Sequence, residues 1–378
     1  MPYKNGVLLA GHSTYRGRET LKNAYWPVKI CEINSRLHPR RLLSYGLPWY
    51  SRILFVWFVL FVWSFWLSEP NQINQINETN QMNQMDQMNQ INQINVSMAV
   101  VITGASTGIG AACAFDCAGR GMTVFAGVRT PQAGEALVAK GGPSIIPVTI
   151  DVTDEPSIAR SVEMVQGIVG ERGLGGLVNN AGIVIGSPLE VIPLSQLRKQ
   201  LEVNVIGQIA VTQAFLPLLR RGRGRIVNMG SIAGRGTIPL LGPYSASKYA
   251  LEALTDALRM ELQPWGIQVS IIEPGAIATP IWEKSAKEAE SLEASSGEEA
   301  RTLYGEAVMR IREAVTQAAQ RAIPPEAVVR AVQHALTSAR PRTRYLVGTD
   351  AKLRAWMVKW LPDRAQDRLL GWALKYPR

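Results

Sequence analysis

The 378 residues carry 40 Lys and Arg against 30 Asp and Glu, a formal charge of +10. The basic residues are spread along the chain without a sustained block, which argues against a nucleic-acid-binding arm and describes a mildly basic, solvated surface. Three cysteines (Cys31, Cys113, Cys117) and three histidines, two of them ahead of residue 97, make no metal-ligand spacing and no disulfide framework, so no metal is expected and a reducing compartment fits.

Composition changes sharply near residue 97. Residues 53–67, ILFVWFVLFVWSFWL, are apolar apart from Ser64. As a helix they span roughly 22 Å, short of the roughly 30 Å hydrocarbon core of a bilayer, so they are a marginal membrane span. Nine Lys or Arg residues precede Glu69, which would leave the N-terminus cytosolic. Residues 71–95 repeat Asn, Gln and Ile or Met in threes with almost no charge and cannot build a packed core. Two readings stay open for 1–97: a disordered, association-prone extension, or a tandem DNA repeat translated from an upstream start and absent from the natural protein. Met98 stands directly before the first strand, where an initiator would stand, and residues 98–378 read as a single domain.

From there the pattern alternates. A short apolar run at 98–103 leads into GASTGIG and then a helix at 109–120, so strand, glycine turn and helix follow one another. Gly104, Gly108 and Gly110 permit a tight turn, close backbone approach to a pyrophosphate and close helix packing, while the helix N-terminus favours negative charge. Ile109 lies in the same turn. Cys113 and Cys117, four apart on that helix, read as small buried hydrophobes. Further strands are predicted at 122–128, 144–150, 174–178, 225–229, 267–272 and 345–347, most of them separated by helical stretches. That alternation predicts an α/β fold: a doubly wound, Rossmann-type parallel sheet of about seven strands with its ligand at the carboxyl ends.

The second strand ends in Val128 and Arg129, with no carboxylate for a ribose diol. Arg129 can instead pair with a ribose 2′-phosphate, with Ser106 or Thr107 adding hydroxyl donors, so NADP(H) is favoured and NAD(H) is the alternative. Asp151, with Val152 beside it, follows the third strand; it either accepts from an adenine amino group or caps the next segment. Tyr244 and Lys248 lie four apart on a predicted helix at 244–262, so their side chains leave one face. An ammonium so close is expected to lower the pKa of the phenol.

TGASTGIG at 103–110, NNAG at 179–182, Asn204, Ser231, YSASK at 244–248 and EPG at 273–275, with Ser231 thirteen positions before Tyr244, resemble the short-chain dehydrogenase/reductase family over most of residues 98–280. The resemblance implies a catalytic set of Asn204, Ser231, Tyr244 and Lys248. Tyr244 exchanges the proton with a substrate oxygen that Ser231 orients; Lys248 also holds the nicotinamide ribose, and Asn204 either holds a water linking the lysine to solvent or kinks its helix. Asn179, Ala181 and Gly182 would line the cofactor, and Pro274, Gly275, Ile277 and Thr279 would meet its nicotinamide end. The implied activity is hydride transfer between NAD(P) and an alcohol or carbonyl, with a homodimer or homotetramer as the assembly. A dinucleotide-binding regulator without turnover is the competing reading, against which the intact Ser231, Tyr244 and Lys248 set argues.

Ile183, Val184, Ile238, Leu240 and Leu241 are apolar pocket candidates and point to a lipophilic substrate. Residues 280–320 read as helical lid material. The C-terminal stretch from 341, with AGVR earlier, resembles more loosely the retinol and 17β-hydroxysteroid dehydrogenase branch. Its Trp356, Met357, Trp360, Leu361, Leu369, Leu370 and Trp372 are expected either to pack on the core or a partner subunit, or to touch a membrane or substrate entry. The expected location is cytoplasmic, with membrane association as the alternative.

Overall fold

Runs of β-branched and other apolar residues, punctuated by glycine, become seven strands in a computed structural model that describes residues 98–294 and 297–376. The apolar run at 53–67, the repeat at 71–95 and the boundary drawn for the extension lie outside the described residues. The strands are β1 (Ala99–Ile102), β2 (Thr123–Val128), β3 (Ile145–Thr149), β4 (Gly176–Asn179), β5 (Arg225–Met229), β6 (Gln268–Pro274) and β7 (Arg344–Val347). They form one sheet in the order β3-β2-β1-β4-β5-β6-β7, every pair parallel. The order reverses between β1 and β4, the topological switch point at which ligands of such sheets bind.

Parallel strands need crossover connections, and helices supply them on both faces. They are α1 (Gly108–Gly119), α2 (Pro131–Gly141), α3 (Glu155–Val169), α4 (Leu194–Leu201), α5 (Gly207–Arg221), α6 (Gly242–Glu261), α7 (Ile281–Ala294), α8 (Glu298–Gln320), α9 (Glu326–Thr337), α10 (Thr349–Trp360) and α11 (Asp363–Ala373). Period-two alternation divides the strand side chains between two cores. Val100, Ile102, Val124 and Ala126 join Cys113, Cys117, Val328 and Leu336 on one face, whereas Val101, Phe125, Leu177 and Ile226 join Val165, Val211 and Phe215 on the other. The central strands are buried on both faces, which is why they read as unbroken apolar runs, and edge strand β7 alternates.

Burial pushes the thiol of Cys117 up to about 12 and that of Cys113 higher still, so both sit in α1 as inert packing groups. The predicted lid region separates into α7 and α8, with Gly297 capping the second. In α10 the small residues Ala351 and Ala355 face inward, leaving Trp356 and Trp360 more than half exposed, and Trp372 on α11 is 78% exposed. Those tryptophans therefore do not pack on the core of their own subunit.

Glycine is required where the first turn closes. Gly104 (φ +62°) and Gly108 (φ +61°) adopt left-handed backbone, and a Cβ on Gly110 would stand 2.4 Å from the carbonyl of Gly104 and 2.5 Å from Asn180 Nδ2. Gly110→Ala is therefore expected to lose about 1–3 kcal/mol in urea unfolding. Gly119→Ala, at a position with nothing within 4 Å, is expected to stay within about 0.5 kcal/mol of the parent.

Candidate active site

The carboxyl ends of β1, β4 and β5 are joined by buried polar side chains. Thr103, directly after β1, accepts at its Oγ1 the backbone N–H groups of Asn180 and Ala181, both at 3.0 Å. Asn180 answers by donating from Nδ2 to the carbonyls of Thr103 and Gly104 at 3.0 and 3.1 Å. Asn179 points the opposite way, as alternation along a strand demands, and donates to Thr212 Oγ1 at 2.8 Å and to Asn228 Oδ1 at 2.9 Å. Of the NNAG residues, Asn179 thus braces β4 against α5 and β5, while Asn180 fixes the glycine turn. Sequence reasoning passed over Asn180; the signal was the doubled asparagine, whose two members must face opposite sides of the sheet.

The glycine turn meets the other predicted segments. A Cβ on Gly104 would lie 2.8 Å from Ala181 Cα, and one on Gly108 would lie 3.2 Å from Thr279 Cβ, so the loops after β4 and β6 close on it. Pro274 ends β6 paired with Val347. Ile277 is buried and bridges to Ile323, and the N–H of Ala276 donates to Asp350 Oδ2 at 2.7 Å. Gly275 leaves no room for a side chain beside that carboxylate. Ser106 and Thr107 are exposed at the tip of the turn, with Ile109 and Gly110 entering α1 behind them.

At the far end of β2, Arg129 is exposed. Asp151 lies close enough for the guanidinium to help hold its carboxyl below the usual range, after the larger effect of the Thr153 N–H. Asp151 Oδ1 accepts from the N–H and hydroxyl of Thr153 at 3.0 and 2.8 Å, closing a turn ahead of α3, whose N-cap is Asp154. Val152 is buried against Gly207.

Tyr244 and Lys248 leave one face of α6, which starts two residues earlier than predicted because Pro243 can occupy a first turn. Lys248 is buried; its Nζ donates to the carbonyl of Met229 at 2.6 Å and lies 5.8 Å from the centre of the Tyr244 ring. Ser231 stands near enough to Tyr244 to act on its phenol, and its Oγ accepts the N–H of Ala233 at 3.1 Å. Ser231, Tyr244 and Lys248 are therefore brought together.

The charge states differ from expectation in one respect. Burial pushes the Tyr244 phenol up, Ser231 only partly opposing it. Lys248, expected to lower the phenol, is itself pulled down to about 8 by burial. Desolvation is the larger cause at both groups, and the buried ammonium is directed at a backbone carbonyl rather than at the phenol.

Asn204 sits in a single wide turn, Glu202–Ile206, between α4 and α5. Its Oδ1 accepts the N–H of Ile183 at 2.9 Å, and its Nδ2 donates to the carbonyl of Ile183 at 2.9 Å and to Ser247 Oγ at 3.0 Å. The side chain is fully engaged in tying the loop after β4 to α6, one residue from Lys248. Gln200, unforeseen, does similar work: Oε1 accepts from the N–H of Ile185 at 2.7 Å and Nε2 donates to the carbonyl of Ile183 at 3.0 Å.

Of the apolar pocket candidates, Leu240 adopts left-handed backbone (φ +66°), and its carbonyl accepts the N–H of Ser187 at 2.8 Å. The segments holding Ile183, Val184, Ile238 and Leu241 are thereby drawn together. Beyond them a cavity of about 410 Å³ with a mixed lining, Glu190 and Glu299 beside Val191, Leu292 and Leu303, lies between the loop after β4 and α7 and α8.

Residues 98–290 match the short chain dehydrogenase family. An NADPH-dependent 3-dehydrocapnine reductase of Ornithobacterium rhinotracheale is 36% identical over 73% of this chain and 96% of its own length. Retinol dehydrogenase 5 of Mus musculus is 38% identical over 74% of this chain and 89% of its own. A solved short chain dehydrogenase of Burkholderia cenocepacia in complex with NADP superposes with a TM-score of 0.56 at 26% identity, covering 74% of this chain and 98% of that one.

Thr103 offers a direct check on the geometry. Thr103→Val removes the acceptor of two backbone donors and is expected to cost about 2–6 kcal/mol in urea unfolding, each orphaned N–H contributing about 1–3 kcal/mol. Thr103→Ser, which keeps the hydroxyl, should recover most of that loss.

Proposed function

The chain belongs to the short-chain dehydrogenase/reductase family of NAD(P)-dependent oxidoreductases, and from that premise we propose that residues 98–378 transfer hydride between NADP(H) and an alcohol or carbonyl on a lipophilic substrate. The observation that carries this reading is the convergence of Ser231, Tyr244 and Lys248 at the carboxyl edge of the sheet, on the side to which the glycine turn opens.

The residues present fit a dinucleotide. Gly104, Gly108 and Gly110 let the backbone turn without side chains, and Ser106, Thr107 and Ile109 complete the cradle for a pyrophosphate. Arg129, exposed after β2 and without a neighbouring acid on its own strand end, suits a 2′-phosphate. Asp151 and Val152 border the adenine end; Ala181, Gly182, Pro274, Gly275, Ile277 and Thr279 border the nicotinamide end, with Asn179 behind them.

When bound, the nicotinamide supplies or accepts the hydride. Tyr244 exchanges the proton at the substrate oxygen, and Ser231, beside the phenol, holds that oxygen in line. Burial keeps the proton on Tyr244, so its resting state is that of an acid ready to protonate an oxyanion, as carbonyl reduction requires. Lys248, oriented by the Met229 carbonyl, contributes positive charge beside the phenol and a donor to the nicotinamide ribose. Asn204 positions the helix and loop on either side. The apolar wall at Ile183, Val184, Ile238, Leu240 and Leu241 supports a lipophilic substrate, as does the retinol dehydrogenase among the relatives.

A homodimer or homotetramer in the cytoplasm is the assembly proposed, with Met98 as the start of the catalytic unit. A membrane-associated version of the same enzyme has one observation in its favour, the exposure of Trp356, Trp360 and Trp372.

Purified protein assayed with NADPH and NADH against retinal, steroid ketones and other apolar carbonyls is expected to prefer NADPH by about tenfold or more, a difference of about 1.4 kcal/mol. An equal or greater preference for NADH would remove the role assigned to Arg129. Tyr244→Phe is expected to lower turnover roughly 10²–10⁴-fold with NADPH affinity within about threefold of the parent; retained turnover would overturn the assignment of Tyr244.

A further inference from the structure

The stripe of α6 that carries Tyr244 and Lys248 continues, one turn at a time, to Glu252 and Asp256. There it enters a charged cluster for which hydride transfer has no direct use. Arg344 of β7 donates from Nε to Glu252 Oε2 at 3.1 Å and from Nη2 to Asp256 Oδ2 at 2.6 Å, and its Nε lies 3.6 Å from Glu273 Oε1. Glu273 of β6, fully buried directly before Pro274, accepts from Arg235 Nη2 at Oε1 at 2.7 Å; its Oε2 lies 2.5 Å from Arg235 Nε as an ion pair without a hydrogen bond. Arg235 follows the short turn that Ser231 opens. Arg259, part-exposed, donates to Asp256 Oδ1 at 3.1 Å from the outer side. The segment that Ser231 opens, the helix of Tyr244 and Lys248, and the end of β6 thus each have a charged residue in the same cluster.

Glu252 is the member whose charge is least satisfied. One guanidinium, that of Arg344, serves it together with Asp256 and Glu273, and its second oxygen, Oε1, is buried with no hydrogen-bond partner. Burial and the neighbouring Glu273 push its carboxyl up to about 7 against the restraint of Arg344 and Arg235. One turn back, Lys248 is drawn down to about 8 by burial, and Glu252 is the charge that pulls it up again. Inside the fold a carboxylate short of cations and an ammonium short of anions stand on the same face of one helix, where little water screens them.

We propose that Glu252 is a positioning residue for the Tyr244–Lys248 pair: its carboxylate, held by Arg344 and crowded by Glu273, supplies the counter-charge that keeps Lys248 an ammonium. The consequence for turnover rests on the function proposed above; the charge coupling does not. The sign follows from the charges. Removing the anion disfavours the ammonium, so Lys248 must lose its proton at lower pH.

Glu252→Gln keeps the shape of the side chain and an oxygen for Arg344 while removing the charge. In full-length protein labelled with [13Cε]lysine, the Lys248 resonance, assigned by its loss in Lys248→Arg, is expected to titrate about one pH unit lower in Glu252→Gln than in the parent. Glu252→Asp, which keeps the charge, should titrate within about 0.3 unit of the parent. In the parent itself the Lys248 shift should show a second inflection where Glu252 titrates, a reading that needs no variant to fold. Coincident midpoints in parent and Glu252→Gln, or a parent curve without that second inflection, would overturn the proposal. In the assay with NADPH, the alkaline limb of kcat should move to lower pH in Glu252→Gln, with the KM for NADPH at pH 6 within about twofold of the parent. Shifted midpoints in a protein that reduces no carbonyl would defeat the functional reading and leave the coupling standing; normal turnover with unshifted midpoints would do the reverse.

Discussion

The hydroxyl of Thr103 accepts two backbone N–H groups from the residues that follow β4, and so joins β1 to β4 at the point where strand order reverses. Neighbouring parallel strands diverge beyond their last ladder bonds, and the crevice that opens there is where this architecture places ligands. The crevice needs a fixed width, and Thr103 with Asn180 sets it from both sides. The glycine turn can fold into left-handed backbone because Asn180 satisfies the carbonyls of Thr103 and Gly104. Everything downstream, from the start of α1 to the closure of the loop at Thr279 on Gly108, is referenced to that tie.

A second layer of buried polarity lies behind the first. Asn179, Thr212, Asn228 and Thr255 form a line of side-chain bonds running from β4 through β5 to α6. Asn204 and Gln200 link the loop after β4 to the helices on either side. Apart from Asn179 Oδ1, which is buried without a partner, these groups are paired and so specify one arrangement, since any other would strand several of them. The position of Lys248 follows: its helix is fixed from one side by Asn204 and Ser247, and its ammonium is directed by a backbone carbonyl of β5.

The sheet was legible because buried parallel strands are short and apolar, with glycine or a polar residue at each exit. All seven strands fall where periodicity puts them, and α1 and α6 begin within two residues of the expected positions. The glycine turn and the Tyr244–Lys248 face were legible because local geometry dictates them. What sequence could not disclose is long-range pairing. Nothing in the stretch around Arg235 names Glu273 as its partner, and Glu252 reads as an ordinary helical acid until β7 brings Arg344 beside it. Nor does spacing reveal that burial raises the Tyr244 phenol, since desolvation depends on what surrounds the ring. The exposure of Trp356 and Trp360 was equally hidden, because an aromatic stripe at helical spacing reads as core until Ala351 and Ala355 are seen to occupy the inner face.

The anchoring of the loop after β6 gives the tail of the chain an influence that its surface position conceals. Asp350, in the opening turn of α10, receives the N–H of Ala276 and fills the space that a side chain on Gly275 would take. The last helices are therefore a keystone set from outside, and shortening the chain after β7 to shed its greasy tryptophans would loosen a span that faces the interior. Solubility gained by trimming and rigidity of the loop after β6 are, in this protein, opposing goals.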